Sequence, residues 1–359
     1  MNSILLINNK NKDCKKGKVV SDFKLEAEKN NQKNLNFEDI EYDELGSVGV
    51  LIPKNLRQKF KKFSDSRFLI GISGLVHNEK IVLEKHKQSD IFNCLITQYK
   101  KGKENFSGIF NEATGQFAVY FYDLEKDELL IINDKLGLYA AYCFEDDDIF
   151  LYSNNAETVI KCIASGQSLN YDAISDYLTL GIVQCRETFF KEVNNLPEAS
   201  ILTKKTNARS SVKKYYNFQF DDSSYLRKNY LPLVNDKLKE VVNDLYNYSS
   251  DPVAVCLTAG FDTRLINSIL CESDVKQLAV FTRVPIREAS EINKFAIPMD
   301  EKIGREFAGE FGLEYALLGK SGENHKIERE KFTLINGLFG GELLGAEAYN
   351  QPATLFRVK

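Results

Sequence analysis

Long apolar runs are missing from this 359-residue chain. No window comes near the ~18 consecutive apolar residues of a membrane-spanning helix. The opening run Ile4–Ile7 is short and gives way to Asn and Lys, so no signal-peptide core is expected there. An excess of one charge is also missing. Forty-seven Lys and Arg against 51 Asp and Glu leave −4, which offers no basic field to nucleic acid or an anionic bilayer. The seven cysteines (Cys14, Cys94, Cys143, Cys162, Cys185, Cys256, Cys271) contain no C-x-x-C pair. An odd, scattered set in mostly apolar contexts reads as reduced thiols of a cytoplasmic protein. The three histidines, His77, His86 and His325, lack metal-site spacing. No internal repeat is visible. Secreted, membrane, zinc-module and nucleic-acid-binding classes are therefore disfavoured.

What is there is ordinary for a globular chain, 43% hydrophobic and 27% charged. At ~150 residues per domain the length predicts two domains. The first ~45 residues are rich in Lys, Asn and Glu, and Asn8–Lys18 and Glu26–Asn36 read as solvated loop. From Arg67 to Ser153 short apolar runs, Phe117–Tyr122, Leu129–Ile132, Ala140–Phe144 and Ile149–Tyr152, predict antiparallel sheet. One helix is predicted within it, Ser89–Tyr99, with Ser89 as N-cap. Another is predicted over Tyr171–Leu180, closed by Gly181. The domain boundary is placed in the mostly polar segment Lys204–Ser224, giving domains of residues 1–203 and 225–359.

Beyond it Leu231, Val234, Leu238, Val242 and Leu245 recur at helical spacing, with Pro232 suited to a first turn. Strands are predicted at Val253–Leu257, Gln277–Thr282 and Glu314–Leu318. Helices are predicted at Thr263–Cys271 and Glu301–Phe311. This alternation predicts a parallel sheet with crossover helices. Two short basic clusters, Lys59–Lys62 and Lys100–Lys103, read as solvated faces, and the acidic run Glu145–Asp148 as a charged hairpin turn. The aromatic residues read as core rather than a base-stacking platform.

The stretch richest in chemistry is Leu257-Thr258-Ala259-Gly260-Phe261-Asp262-Thr263. A buried strand ends in small and hydroxyl residues, and a helix starts at once. Small residues let backbone approach an anion closely, and the free N–H groups of a helix start point at it. Hydroxyls can donate to phosphate oxygens, and Asp262 could hold a Mg²⁺ bridging phosphates. An N-cap on a plain crossover helix is the simpler alternative.

This stretch resembles the Ser-Gly-Gly-x-Asp-Ser loop of the asparagine synthetase family, ATP pyrophosphatases that adenylate a carboxylate. Asp300-Glu301 through Glu314 resembles the family's Asp-Glu helix and next strand. Gly337-Leu338-Phe339-Gly340-Gly341-Glu342 resembles its second loop. Ser89-Asp90 through Phe110, Gln116–Asp123, Asp134–Tyr142 and Leu151–Ser153 resemble its glutaminase-type domain, and Leu169–Gly181 with Leu196-Pro197 the segment that follows. The resemblance covers most of residues 67–345. It implies an N-terminal α+β domain of Ntn-hydrolase type, layered αββα. An α/β parallel-sheet ATP-pyrophosphatase domain would follow, incomplete because the chain stops at Lys359. ATP would contact Leu257, Thr258, Ala259, Gly260, Asp262, Thr263 and Gly337, with Mg²⁺ on Asp262 and Glu342 as a catalytic candidate.

The departures from the family matter as much. Asn2 stands where active members carry the nucleophilic Cys, and an amide cannot serve that role. Ser73-Gly74-Leu75 replaces the Asn-Gly-Glu turn that binds glutamine. Ser73, Gly74 and Asp90 are thus expected to mark a vestigial glutamine site without glutaminase activity. Ala259 replaces a Gly, a strained substitution if φ is positive there. Leu338 and Gly341 replace the second loop's Glu and its Mg²⁺-binding Asp. The expected function is an ATP-dependent carbon–nitrogen ligase acting on a small-molecule or peptide carboxylate. A non-catalytic scaffold or partner-binding subunit is one alternative, and a peptide or lactam cyclase another. A homodimer or a separate partner subunit would be compatible.

Overall fold

The computed structural model describes residues 5–9, 40–45, 48–53, 60–63, 67–163, 167–183, 186–219, 230–248, 253–273, 278–283, 291–318, 332–335 and 357–358. The chain divides into two compact units, Met1–Gln219 and Phe220–Lys359.

The first unit begins with strands β1 (Leu5–Asn9), β2 (Ile40–Leu45), β3 (Val48–Pro53), β4 (Phe60–Phe63) and β5 (Phe68–Val76). Helices α1 (Glu79–His86), α2 (Ile91–Lys101) and α3 (Lys103–Glu112) follow. Then come β6 (Gly115–Asp123), β7 (Glu128–Asn133), β8 (Tyr142–Glu145), β9 (Ile149–Ser153), α4 (Ala156–Cys162) and α5 (Tyr171–Leu180). The unit closes with β10 (Asn194–Asn195), β11 (Ser200–Lys205) and β12 (Ser211–Lys214). The strands form two six-stranded sheets, ordered β10-β8-β9-β1-β3-β2 and β12-β11-β7-β6-β5-β4. Every pairing in them is antiparallel.

Strand periodicity explains why the sheets stack. In β6, Phe117, Val119 and Phe121 pack with Val82 of α1, Leu95 of α2 and Phe106 of α3. The alternate residues Ala118, Tyr120 and Tyr122 pack instead against Phe150 and Tyr152 of the other sheet. On that sheet's outer face Ile149 and Leu151 pack with Val159 and Cys162 of α4. The order of layers is helix, sheet, sheet, helix, as the αββα expectation has it. With both faces covered, the central strands need apolar residues at nearly every position.

Local reading differs from the structure in four places. Asn8 and Asn9, which open a stretch that reads as solvated loop, end β1, and Ile40–Leu45, where local patterning predicts no element, is β2. Their hydrogen bonds come from β9 and β3, partners that composition does not reveal. The rest of Asn8–Lys18, and Glu26–Asn36, lie outside the described residues. Three helices rather than one precede β6. The cap of α2 is Asp90, not Ser89: Asp90 Oδ1 accepts from the N–H groups of Phe92 and Asn93, each at 3.0 Å. Finally, the first half of Lys204–Ser224 is no linker. It finishes β11 and forms β12, and Tyr215 donates from its hydroxyl to Asn133 O at 2.8 Å. The first unit therefore runs past residue 203 to Gln219, and the division falls inside the Lys204–Ser224 segment expected to hold it. The segment reads as polar because β12 is an edge strand, solvated on one side.

The acidic run does form a turn, with Asp146 Oδ1 accepting from Asp148 N and Ile149 N at 2.8 and 2.7 Å. Glu145 has a second role. Lys204 of β11 reaches across the sandwich and donates from Nζ to Glu145 Oε1 of β8 at 2.8 Å and to Ala208 O at 2.6 Å. Ser210 N also donates to Glu145 Oε2 at 3.0 Å.

In the second unit α6 (Tyr230–Tyr248) precedes β13 (Val253–Cys256), α7 (Phe261–Glu272), β14 (Leu278–Arg283), α8 (Glu291–Phe311) and β15 (Glu314–Leu318). Strands β16 (Phe332–Ile335) and β17 (Arg357–Val358) complete a sheet ordered β15-β14-β13-β16-β17. The first four of these run parallel, as expected, and β17 is antiparallel. Its core joins Val255 and Leu257, Ile269 and Leu270 of α7, Val280 of β14 and Ala308 of α8. Only the second half of the α6 stripe is used: Val242 is buried, while Leu231 and Val234 are exposed. Gly312, with φ +64°, closes α8. No helix among the described residues is long and apolar enough to cross a membrane.

The Lys204–Glu145 pair sets a pH dependence. Burial raises the Glu145 pKa, but hydrogen bonds from Lys204 and Ser210 outweigh it and hold the carboxyl below its ordinary value. A depressed folded-state pKa adds stability above the unfolded value and loses it as pH falls through the folded value. Lys204→Ala should cost about 1–2 kcal/mol at neutral pH, because it leaves a part-buried carboxylate without its cation and held by Ser210 alone. It should also flatten the acid limb of the stability curve below pH ~5. Urea denaturation of both proteins across pH 3–7 measures this; an unchanged acid limb would count against the assignment.

Candidate functional site

In the first unit the expected residues Ser73 and Gly74 lie inside β5, paired with Ala118 and Phe117 of β6. Gly74 has φ +84°, and a Cβ there would sit 2.1 Å from Gln116 O. Only glycine fits there, because of the backbone of β6. Ser73 is buried, and its hydroxyl makes no hydrogen bond of regular geometry. Beside it lies a group of phenols that sequence reading missed. Tyr120 and Tyr152 approach to 3.4 Å between hydroxyls, and Asn154 Nδ2 donates to the Tyr139 hydroxyl at 3.2 Å. Burial pushes all three phenols above their ordinary pKa. Leu75 is also buried. Asp90 spends its carboxylate on the first turn of α2. Ser73 and Gly74 thus lie in a strand and Asp90 at a helix cap. Asn2 lies outside the described residues.

The loop after β13 is better organised for chemistry. It leaves the carboxyl end of a parallel strand, where such sheets place their ligands. Leu257 is buried; its N–H donates to Phe281 O at 2.8 Å, and its carbonyl accepts from Thr282 Oγ1 at 2.7 Å. The two threonine hydroxyls face each other at 2.9 Å, Thr258 N donates to Thr263 Oγ1 at 3.1 Å, and Gly260 N donates to Thr258 Oγ1 at 3.2 Å. Thr258 and Thr263 therefore staple the loop instead of offering their hydroxyls outward. The helix starts at Phe261, two residues before the expected Thr263, so Asp262 is in its exposed first turn. Gly260 caps it in extended backbone, φ −65° and ψ 150°, with no side-chain hydrogen bond, which leaves first-turn N–H groups uncapped. Ala259 is absent from the positive-φ residues, so its Cβ carries no backbone strain.

One further residue completes the loop. Asp300 of α8 accepts from Ala259 N through Oδ1 at 2.7 Å. Its place is set one turn on by Gly304, where a Cβ would meet Tyr315 Cε2 at 2.7 Å and Thr282 Oγ1 at 2.9 Å. The missing side chain lets α8 lie against the Tyr315–Thr282 pair, whose hydroxyls are 2.9 Å apart. Beneath the loop, Asn267 is buried, and its Nδ2 donates to Cys256 O at 3.1 Å and Thr263 O at 2.7 Å. Spacing predicts a helix over Glu301–Phe311, where α8 begins at Glu291, and gives Asp300 no role, because nothing local shows which loop α8 approaches. Gly337, Leu338, Gly341 and Glu342 lie outside the described residues. Among the described residues no cluster of His, Cys, Asp or Glu is arranged to hold a metal.

Comparison with known proteins adds two findings. Residues 79–216 match the family profile of the glutamine amidotransferase domain. Over 230 residues the chain is 24% identical to a provisionally named glutamine-hydrolysing asparagine synthetase 2 of Methanocaldococcus jannaschii, covering 60% of this chain and 42% of that protein. The chain thus spans less than half the length of this relative. Among solved structures, glutamine phosphoribosylpyrophosphate amidotransferase from B. subtilis, complexed with ADP and GMP, superposes loosely. Its TM-score is 0.40 at 8% identity, covering 88% of this chain and 90% of that one. An allosteric regulatory enzyme of purine biosynthesis gives the same score and identity over 88% and 80%. The resemblance to asparagine synthetases and the likeness of residues 79–216 to the glutamine amidotransferase domain are what the first two of these comparisons show.

Gly304→Ala should destabilise the protein by about 1–3 kcal/mol, the usual cost of overpacking a filled contact. It should also displace Tyr315, whose rigid ring stands 2.7 Å from where the new Cβ would lie. Chemical denaturation gives the first quantity and near-ultraviolet dichroism the second.

Proposed function

We propose that the chain is an asparagine-synthetase-like ligase module whose second unit binds the phosphates of Mg·ATP on the Leu257–Thr263 loop. The observation that carries this is the Ala259 N–H: at the start of an uncapped helix, it already holds a carboxylate oxygen at 2.7 Å. A loop that accepts an anionic oxygen from its own chain suits a phosphate oxygen equally well. The match to an asparagine synthetase supports the reading, as does the position at the carboxyl end of β13.

In the proposed reaction a substrate carboxylate oxygen attacks the α-phosphorus of ATP. That P–O bond forms as the bond to pyrophosphate breaks. An amine then attacks the acyl carbon, AMP leaves with the bonding electrons, and the amine loses a proton. The loop's part is electrostatic. Fixed N–H groups, placed before the reaction, meet the negative charge that gathers on the leaving pyrophosphate. The Mg²⁺ would be held on Asp262, exposed at the loop's mouth, and would neutralise phosphate charge. Gly337 would complete the nucleotide contacts and Glu342 the catalytic set. The internal Thr258–Thr263 staple favours a second reading, a scaffold that binds no nucleotide, since both hydroxyls are already spent.

ATP–pyrophosphate exchange with a panel of amino-acid and peptide carboxylates tests the ligase. Exchange is expected with at least one acid, and Asp262→Ala should lower it by about 100-fold or more, as loss of a metal carboxylate does. Absence of exchange and of ATP binding at millimolar nucleotide would favour the scaffold.

The N-terminal unit is proposed to act without glutamine hydrolysis. Ser73 and Leu75 point into the core, where the resemblance would have a glutamine-binding turn. Purified protein should release no glutamate from glutamine above a heat-killed control; steady release overturns the proposal.

A further inference from the structure

We infer that Asp300 is an internal counter-anion that occupies the nucleotide loop and makes phosphate binding depend on a divalent cation. The inference rests on the nucleotide reading of this loop and extends it to regulation.

The geometry leaves little choice of donor. Of the N–H groups from Leu257 to Gly260, Leu257's is bonded to Phe281 O, Thr258's to Thr263 Oγ1 and Gly260's to Thr258 Oγ1. Only Ala259's points to a charged acceptor, and that acceptor comes from another element of the unit, 41 residues away. Asp300 is not a helix cap of α7, nor is it paired with a cation in the described hydrogen bonds. Its helical neighbour Glu301 takes Arg305 at 3.0 Å instead. A carboxylate without its own counter-cation therefore sits where a phosphate oxygen would bind.

Two anionic oxygens cannot share one N–H donor, and a triphosphate brought beside a fixed carboxylate is repelled. Binding of metal-free polyphosphate must displace Asp300 from Ala259. A divalent cation changes the balance, because a carboxylate and phosphate oxygens can then face the same positive charge. The packing of Gly304 on Tyr315 and Thr282 fixes the α8 backbone one turn away, so the carboxylate leaves the Ala259 N–H by a change of its own rotamer and not by a shift of the helix. The loop would stay closed to free pyrophosphate and metal-free nucleotide, and open to the metal complex.

Asp300→Asn tests this, since an amide oxygen can still accept from Ala259 N while the charge is gone. Calorimetric titration of the full chain with ATP in excess EDTA and in excess Mg²⁺ is the measurement. In EDTA the variant should bind about tenfold tighter than wild type, and in Mg²⁺ the two should agree within about threefold, the scale of one partly screened charge. Equal or weaker binding by the variant in EDTA overturns the proposal and leaves Asp300 a structural brace. Inorganic pyrophosphate in EDTA separates this from the ATP reading. If ATP fails to bind either protein, the nucleotide reading falls. Pyrophosphate bound by Asp300→Asn but not by wild type would still support the counter-anion, and equal binding or none would end it.

Discussion

Burying both faces of a sheet confines polar chemistry to the ends of its strands, and both units are organised by that constraint. A strand covered on two sides favours polar side chains where each finds a partner, because an unpaired buried group costs ~1–3 kcal/mol, and the Ser73 hydroxyl inside β5 is an exception. In the first unit the middle of β6 is therefore apolar or aromatic throughout. Its charged group, Asp123, stands at the strand end, paired with Arg67 at 3.0 Å. In the second unit the same rule empties β13 of polar side chains and gathers hydroxyls and carboxylates where it stops.

The turn after β7 shows how such an end is built. Asp134 is fully buried, and its carboxylate accepts from Leu136 N, Leu138 N and Tyr139 N at 2.9–3.0 Å. Burial pushes its pKa up against the pull of those N–H groups. Asn133 next to it accepts from Ser200 N at 2.9 Å and donates to Pro197 O at 2.5 Å. A single turn thus ties β7 to the entrance of β11. The Lys204–Glu145 pair, farther along β11, ties the same strand to the opposite sheet. Polar groups here do the work of register and layer alignment, while the apolar layers supply most of the stability.

The loop after β13 spends its polar groups differently. The threonine hydroxyls hold the loop's shape and take the N–H groups of Thr258 and Gly260 as well, so that the Ala259 N–H is the loop donor that meets an anion. Rigid N–H donors suit this purpose better than hydroxyls, since they need no reorientation when charge arrives. The cost is that a closed, prearranged anion site must hold something when no ligand is present. Asp300 meets that need from a helix whose approach is set by the absence of a side chain at Gly304.

The sequence by itself determined the alternation of strands, the change from antiparallel to parallel sheet, the helix over Tyr171–Leu180 and the strand–loop–helix at Val253–Asp262. Each of these rests on periodicity or on a turn residue, signals carried within about ten positions. It also carried the resemblance, through the order of several short motifs. Only the tertiary structure decided that Asn8–Asn9 and Ile40–Leu45 are strands, that Lys204–Lys214 is an edge hairpin, and that Asp90 caps a helix. It alone showed Thr263 turned inward and Asp300 on the Ala259 N–H. The physical reasons differ with distance. β1 pairs with β9 and Ala259 meets Asp300 41 residues away, and such partners leave no mark on the local sequence until the chain has closed on itself. The Asp90 cap and the Thr258–Thr263 staple are local, and there the packed backbone decides which of several neighbouring polar groups makes the bond.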